Sequence, residues 1–242
     1  MSDSNQTANA NSSQADALQR GMAGQLARWR DEVKAPGRRL GWKIGFNDRP
    51  SQERLSLSHP VIGFLRRDCL LTSGATFMAP AGATIKAEME IAMRIGRNLD
   101  AGVSTDEAEA AIVAIAPAFE VVNVTQPLDG IEALLQGNLY HAAVLIGNEI
   151  TSVPKDPRAM IRGRLTVDNG VVRESEPFRL PVRFGDLVRV TADLLGQNGE
   201  QLSEGDWIIS GSMVDPLVVA PGSRITGEIS LFEPITLAFA TR

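Results

Sequence analysis

The sequence predicts a mixed α+β domain whose sheet is largely antiparallel. Helical spacing occurs at the start, once in the interior and once late in the chain, and short apolar strand candidates fill most of the rest. No regular βαβ rhythm and no Gly-x-Gly-x-x-Gly turn between a strand and a helix marks a doubly wound dinucleotide fold. The 242 residues include 13 Pro and 22 Gly, ordinary usage for one globular domain. A chain of this length buries roughly 70% of its unfolded surface, so folding requires neither disulfides nor a structural metal.

Residues 1–13 read as a disordered polar leader, because their composition supplies no core, and residues 14–242 as one catalytic domain. From Ser13 onward Leu18, Met22, Leu26 and Trp29 recur with Ala15, Ala23 and Ala27 at helical spacing, and Pro36-Gly37 closes that amphipathic helix. An apolar passage over 40–46 reads as a strand feeding the loop Asn47-Asp48-Arg49-Pro50. Short strands are predicted over 61–65 and 75–79, and the first long one over 84–94. Ser104 and Glu107 have capping-box spacing ahead of an alanine-rich helix over 108–115, stopped by Pro117, after which 119–124 resumes a strand pattern.

Residues 130–136 make a helical turn, and 139–146 an apolar segment closed by Gly147-Asn148. The clearest hairpin joins 161–167 to 171–176 through Asp168-Asn169-Gly170, since Asn-Gly supplies positive backbone angles. Leu187, Val190, Thr191, Leu194 and Leu195 have helical spacing, and strands are predicted over 207–210, 217–220, 225–232 and 235–239. There is no fixed-period repeat.

Scarce residues bound the chemistry. His59, His141 and Cys69 are the sole imidazoles and thiol, which excludes a zinc site built from Cys and His clusters and leaves a Ser-His-Asp triad two imidazoles to choose from. The formal net charge of -5, from 24 basic and 29 acidic residues without long runs, argues against nucleic-acid binding. The N-terminus lacks the pattern of a signal peptide and no apolar run reaches membrane-spanning length, so a cytoplasmic location without a membrane partner is expected. His59, before Pro60, reads as a turn residue, Cys69 as a packing residue, and Trp29, Trp42 and Trp207 as core or interface.

The informative residues are acids. Glu88 and Glu90, two apart in the long strand, leave the same face, with Met89 and Ile91 pointing into a core. Glu120 interrupts another apolar strand between Phe119 and Val121, where a carboxylate is costly to bury without a partner. Oxygen ligands of this kind suit a hard cation such as Mg2+ or Mn2+. Spacing alone leaves two other readings open: a solvated outer face, or a structural ion-pair network. Lys43, one of four lysines, lies inside a strand and either snorkels to the surface or has an internal role.

Three blocks carry a family resemblance: Gly41-Trp42-Lys43-Ile44-Gly45, Ala87-Glu88-Met89-Glu90-Ile91-Ala92 and Pro117-Ala118-Phe119-Glu120-Val121-Val122. They resemble, in the same order, the Gly-x-Lys-Ile-Gly, Glu-Ala-Glu-Ile and Pro-Ala-Leu-Glu-Ile-Val blocks of the fumarylacetoacetate hydrolase superfamily. The similarity is greatest to its 2-keto-4-pentenoate hydratase and 4-oxalocrotonate decarboxylase branch. Gly137-Asn138 and Gly205-Asp206-Trp207-Ile208-Ile209-Ser210-Gly211-Ser212 match further blocks, so the resemblance runs from about Gly21 to the C-terminus.

The resemblance implies a β-roll-like fold, assembly into homo-oligomers, in some cases with a related enzyme subunit, and a role in aromatic-compound catabolism. It makes Glu88, Glu90 and Glu120 the ligands of Mg2+ or Mn2+ and places Lys43 beside the carboxylate or enol oxygen of a small anionic 2-oxo acid or dienol. It implies a hydratase acting on a 2-hydroxy-2,4-dienoate or 2-oxo-4-enoate through a metal-bound enolate. A 2-oxo acid decarboxylase, an acylpyruvate-type C-C hydrolase and a noncatalytic partner subunit are the alternatives.

Several positions depart from the branch. Asn123 stands where Asp is usual, Gln136-Gly137-Asn138-Leu139-Tyr140-His141 replaces an Asp-Asn-Ala-Ser stretch, and Gly45-Phe46-Asn47-Asp48 replaces Gly-Leu-Thr-Ser, while Gln52 falls where the branch often has Gln. Substrate contacts are therefore expected from Gln52, Asn123, Asn138 and His141, with Ser210 and Ser212 contacting substrate carboxylate or backbone; Asn123, Asn138, Tyr140 and His141 are candidate acid–base groups around the substrate's distal end, His141 being equally readable as a hydrogen-bonded core residue. The Ser210-Gly211-Ser212 turn lacks the surroundings of a nucleophile.

Overall fold

The computed structural model describes residues 2–168, 170, 172–176 and 179–242, with side chains from residue 14 onward. Helix α1 (Ser2–Glu32) leads into β1 (Arg39–Gly45), helix α2 (Arg49–Arg54) and β2 (Val61–Arg66). Strands β3 (Leu70–Leu71), β4 (Thr76–Ala79) and the long β5 (Ile85–Ile95) precede α3 (Thr105–Ala110) and the long β6 (Ile112–Asn123). Helix α4 (Gly130–Gln136) and a tight turn at Asn138–Tyr140 deliver β7 (His141–Ile146). Then come α5 (Pro157–Met160), the antiparallel pair β8 (Gly163–Val167) and β9 (Val172–Glu174), and α6 (Phe184–Gly196). Strands β10 (Trp207–Ile209), β11 (Leu217–Val219), β12 (Arg224–Ile229) and β13 (Ile235–Thr241) follow.

These strands form two sheets. One runs β2-β1-β10-β5-β6-β7-β3 with β11 also on β5, and the other β4-β13-β12-β8-β9. Among the described residues only β1/β10, β3/β7 and β4/β13 pair in parallel, so the curled, largely antiparallel α+β fold expected from the sequence is present. Helix α1 lies on α4, with Gly21 against Leu135 and Gln25 Nε2 donating to the Leu135 carbonyl (3.0 Å), and buries Met22, Leu26 and Trp29 in the core that also holds Trp42; the Trp29 and Trp42 rings lie 5.0 Å apart. Among the described residues no helix is long and apolar enough to cross a membrane.

Two local devices set β1 in place. Gly41 has φ +148, and a Cβ there would meet the Trp207 carbonyl at 1.9 Å, so only glycine allows β1 to close on β10. Asp206, buried at the start of β10, accepts from Arg39 Nε (2.7 Å) and Trp42 Nε1 (3.2 Å). Lys43 thereby falls opposite Gly63 of the edge strand β2 and Ile209 of β10, on a strand paired along both sides.

The structure differs from the sequence expectation in four places. Helical backbone extends back to Ser2, through the stretch expected to be a leader, and no Pro or Gly interrupts residues 2–20. The loop after β1 is interrupted by α2, capped by Asp48, whose side chain accepts from Ser51 N (2.9 Å).

The helix expected over 108–115 divides. The Ser104–Glu107 capping box is formed, but α3 closes at Ala110 and Ile112 already belongs to β6. Its alanines favour a helix, and the exposed Val113 between buried Ile112 and Ala114 is itself apolar, so strand alternation was not visible in it. Pro117 lies inside β6 rather than stopping a helix. Its partner Ile91 turns its own N–H and C=O toward Ser210, and on the other side Pro117 needs only its carbonyl, which accepts from Gly147 N (2.9 Å). The hairpin forms as β8 and β9, with Gly170 at φ +83; Asn169 and Val171 lie outside the described residues.

Candidate metal centre

Strand register assembles the acids. Glu88 on β5 pairs with Glu120 on β6, and Glu90 is two residues along the same face, so three carboxylates converge on one spot. One ligand atom from each lies within 4.8 Å of the others. Glu90 and Glu120 are 0% and 1% exposed, which removes the solvated-face reading for this cluster.

Each buried carboxylate is half satisfied. Gly211, with φ +84, donates its N–H to Glu90 Oε2 (2.7 Å), while Glu90 Oε1 has no hydrogen-bond partner. Glu120 Oε1 accepts from Lys43 Nζ and lies 2.8 Å from His141 Nδ1, while Glu120 Oε2 and His141 Nε2 have no partner. Lys43 Nζ also donates to the Leu139 carbonyl (3.3 Å). Lys43 is therefore an internal ion-pair partner, 4% exposed, and does not snorkel.

The electrostatics call for a cation. Burial, reinforced by Glu120, pushes the Glu88 carboxyl up to about 7. Burial, Glu120 and Glu88 push Glu90 well above the ordinary carboxylate range. Glu120 is held below it: burial opposes its charge, but Lys43 and the His141 hydrogen bond outweigh burial. Burial disfavours the Lys43 ammonium, yet Glu120, Glu88 and Glu90 together raise its pKa, so it stays charged. Burial lowers His141 despite Glu120, so the imidazole is neutral at pH 7 and its Nε2 is a free acceptor when Nδ1 donates to Glu120.

With all three carboxylates ionised, the one ammonium would leave two negative charges, which a divalent cation balances. Orphaned buried oxygens on Glu90 and Glu120 are the donors that such a cation satisfies. The cluster is capable of coordinating a divalent metal.

The other residues singled out in the sequence divide sharply. His141 joins the cluster through Glu120. Asn138 is engaged elsewhere: its Oδ1 accepts from Phe64 N (2.8 Å) and its Nδ2 donates to Phe64 O (2.9 Å), clamping the outer edge of β2. Asn123 pairs with Ile85, three positions from the Glu88–Glu120 pair and so on the opposite face, and its Oδ1 accepts from Thr125 N and Oγ1.

Gln52 Nε2 donates to Phe46 O (2.9 Å), and Tyr140 Oη accepts from Leu128 N (2.8 Å). Ser210 Oγ accepts from Ile91 N and donates to Gly211 O, and Ser212 Oγ donates to Val214 O. In this structure those hydroxyls and amides hold backbone together. The groups that sequence reading missed are main-chain ones, Gly211 N–H and Leu139 C=O, to which a side-chain pattern gives no access.

A buried three-carboxylate cluster on paired central strands of a curled sheet, with a lysine fixed against it, is a candidate site for a divalent metal. The chain belongs to the fumarylacetoacetate (FAA) hydrolase family, whose C-terminal model matches residues 31–237. It is 26% identical over 197 residues to a 2-hydroxyhexa-2,4-dienoate hydratase of Comamonas testosteroni, covering 79% of this chain and 75% of that protein. It is 23% identical over 203 residues to a 4-oxalocrotonate decarboxylase of a Pseudomonas species, covering 81% and 77%. Its fold matches the 4-oxalocrotonate decarboxylase from Pseudomonas putida G7 complexed with magnesium and adipate, with a TM-score of 0.80, 19% identity, and 89% and 83% of the two chains covered.

Proposed function

We propose that this chain is a divalent-metal-dependent lyase that hydrates a short 2-hydroxy-2,4-dienoate by way of its 2-oxo-4-enoate keto form. The observation that carries the reading is the buried triad Glu88, Glu90 and Glu120, with one unpartnered oxygen on each of the two deepest carboxylates. In this reading the triad holds Mg2+ or Mn2+, hard cations suited to oxygen donors. When bound, the cation supplies positive charge that favours the enolate form of a 2-oxo acid.

The chain's own groups do the rest. Lys43 keeps its proton, fixes Glu120 through Oε1 and adds positive charge beside an anionic substrate. The Leu139 carbonyl directs its ammonium, and the Gly211 N–H turns Glu90 so that Oε1 remains free. Likeness to the Comamonas dienoate hydratase supports the hydratase reading. The fold match to a magnesium-containing decarboxylase favours decarboxylation of a 2-oxo acid as the second reading, because both reactions develop the same enolate charge. We further propose, from the family resemblance of the sequence, that the active form is a homo-oligomer, which light scattering on the purified chain tests.

A panel of dienols, short 2-oxo acids and acylpyruvates with Mg2+ separates the reactions. Loss of dienol absorbance without carbon dioxide identifies the hydratase, carbon dioxide release the decarboxylase, and cleavage to two acids a C-C hydrolase. No turnover across the panel by metal-loaded protein overturns the proposal in favour of a noncatalytic partner subunit.

A further inference from the structure

His141 reaches Glu120 through two unusual pieces of backbone. Asn138, Leu139 and Tyr140 have φ values of +50, +52 and +65, three successive non-glycine residues in the left-handed region. Such residues cost on the order of 1 kcal/mol each and persist where their surroundings over-determine them. Here they do: the Asn138 amide pairs with both main-chain groups of Phe64, the Leu139 carbonyl meets Lys43, and Tyr140 Oη receives Leu128 N.

The second piece is a register shift. Glu120 pairs with Val144 and Val121 with Ala143, but Val122 pairs with His141 rather than Ala142. Side chains alternate faces along a strand, so without the shift His141 would point away from Glu120; slipping one residue turns it to the same face. The imidazole then places Nδ1 2.8 Å from Glu120 Oε1.

We propose that His141 is a positioning residue, which holds Glu120 by Oε1 so that Oε2 is the ligand atom turned to the cation. The inference rests on the reading of the triad as a metal site. Lys43 grips the same oxygen, but an ammonium offers three donors on a flexible stem, whereas the planar ring N–H donates along one line and sets the carboxylate's rotation. Partners of this kind change metal affinity by about 10–100-fold.

Mn2+ titration of the purified full-length chain, read by electron paramagnetic resonance, tests it with His141→Leu and His141→Asn. Asn keeps an N–H donor near the position of Nδ1, and Leu does not. Affinity falls about 10–100-fold in His141→Leu and stays close to wild type in His141→Asn. Equal affinity in His141→Leu, or an equal loss in both variants, overturns the inference while leaving the metal site standing. If the wild type binds no Mn2+, the triad reading falls and this inference with it. Nitrogen-15 NMR of the Mg2+-loaded wild type is independent of any variant's folding and has only two imidazoles to resolve. His141 is expected as the Nδ1–H tautomer, and an Nε2–H tautomer overturns the assignment.

Discussion

Glu228 on β12 and Glu90 on β5 are both glutamates set among apolar strand residues, and the two sheets treat them oppositely. Along β12 the pattern alternates: Ile225 and Ile229 are buried, while Arg224 and Glu228 are exposed and Glu228 stands opposite Arg164 of β8. Along β5 alternation gives way after Glu88, and Glu90, Ala92 and their neighbours are covered on both faces. The cover over Glu90 is the Gly211 turn, which satisfies one oxygen and leaves the other. A strand carboxylate is ordinary surface until another segment closes over it; the five-stranded sheet shows the first condition and the centre of the eight-stranded sheet the second.

That contrast can be broken by mutation. The largest effect is expected from Glu88→Ala/Glu90→Ala: loss of Mn2+ binding by calorimetry and a fall in turnover on the order of 10^3-fold, since the cation's contribution of several kcal/mol goes with it. Next is Lys43→Met. Removing one partner of a buried pair leaves Glu120 uncompensated, so urea denaturation of the metal-free protein should show a loss on the order of 3 kcal/mol, partly recovered by Mg2+.

A smaller, pH-dependent effect follows from Glu88. Its carboxyl is raised from 4.5 to about 7 in the fold, so its contribution to stability is full below pH 4.5 and is lost as pH rises through about 7. Thermal scans of metal-free protein should show a falling Tm between pH 5 and 8, and the rise in Tm on adding Mg2+ should be larger at pH 8 than at pH 5.5. A Tm gain independent of pH would detach the cation from Glu88. The smallest effect is expected from Glu228→Gln, within about 0.5 kcal/mol in stability and without change in Mn2+ affinity, because its carboxylate is solvated.

How much was legible in the sequence follows from the same contrast. Glu88 and Glu90 two residues apart, and Glu120 between Phe119 and Val121, are local patterns, and local patterns survive without a fold. Whether those faces were solvated was not legible, because the Gly211 turn that covers Glu90 comes from 121 residues away.

Asn138 and Ser210 were read as substrate contacts because an amide or hydroxyl has the same chemistry whether it meets a ligand or a strand's main chain. In the structure both meet main chain, Asn138 that of Phe64 and Ser210 that of Ile91, which no side-chain pattern encodes. The face of Asn123 is set by the parity of the β5–β6 register, which puts it opposite to Glu120 and is not encoded in its own segment. The helix expected up to 115 closes at Ala110: the run's alanines favour a helix locally, and only strand pairing, from Ile112 with Ile95 onward, shows where β6 begins. His141 was picked out as an imidazole, but its link to Glu120 depends on a one-residue shift between strands that no sequence spacing encodes.

The central claim is that Glu88, Glu90 and Glu120 together bind one divalent cation. Calorimetric titration of Mn2+ into metal-free wild-type protein, set beside the Glu88→Ala/Glu90→Ala variant, tests it most directly. One ion bound per chain in the wild type and none in the variant is the predicted result; no binding in the wild type, or unchanged binding in the variant, would contradict it.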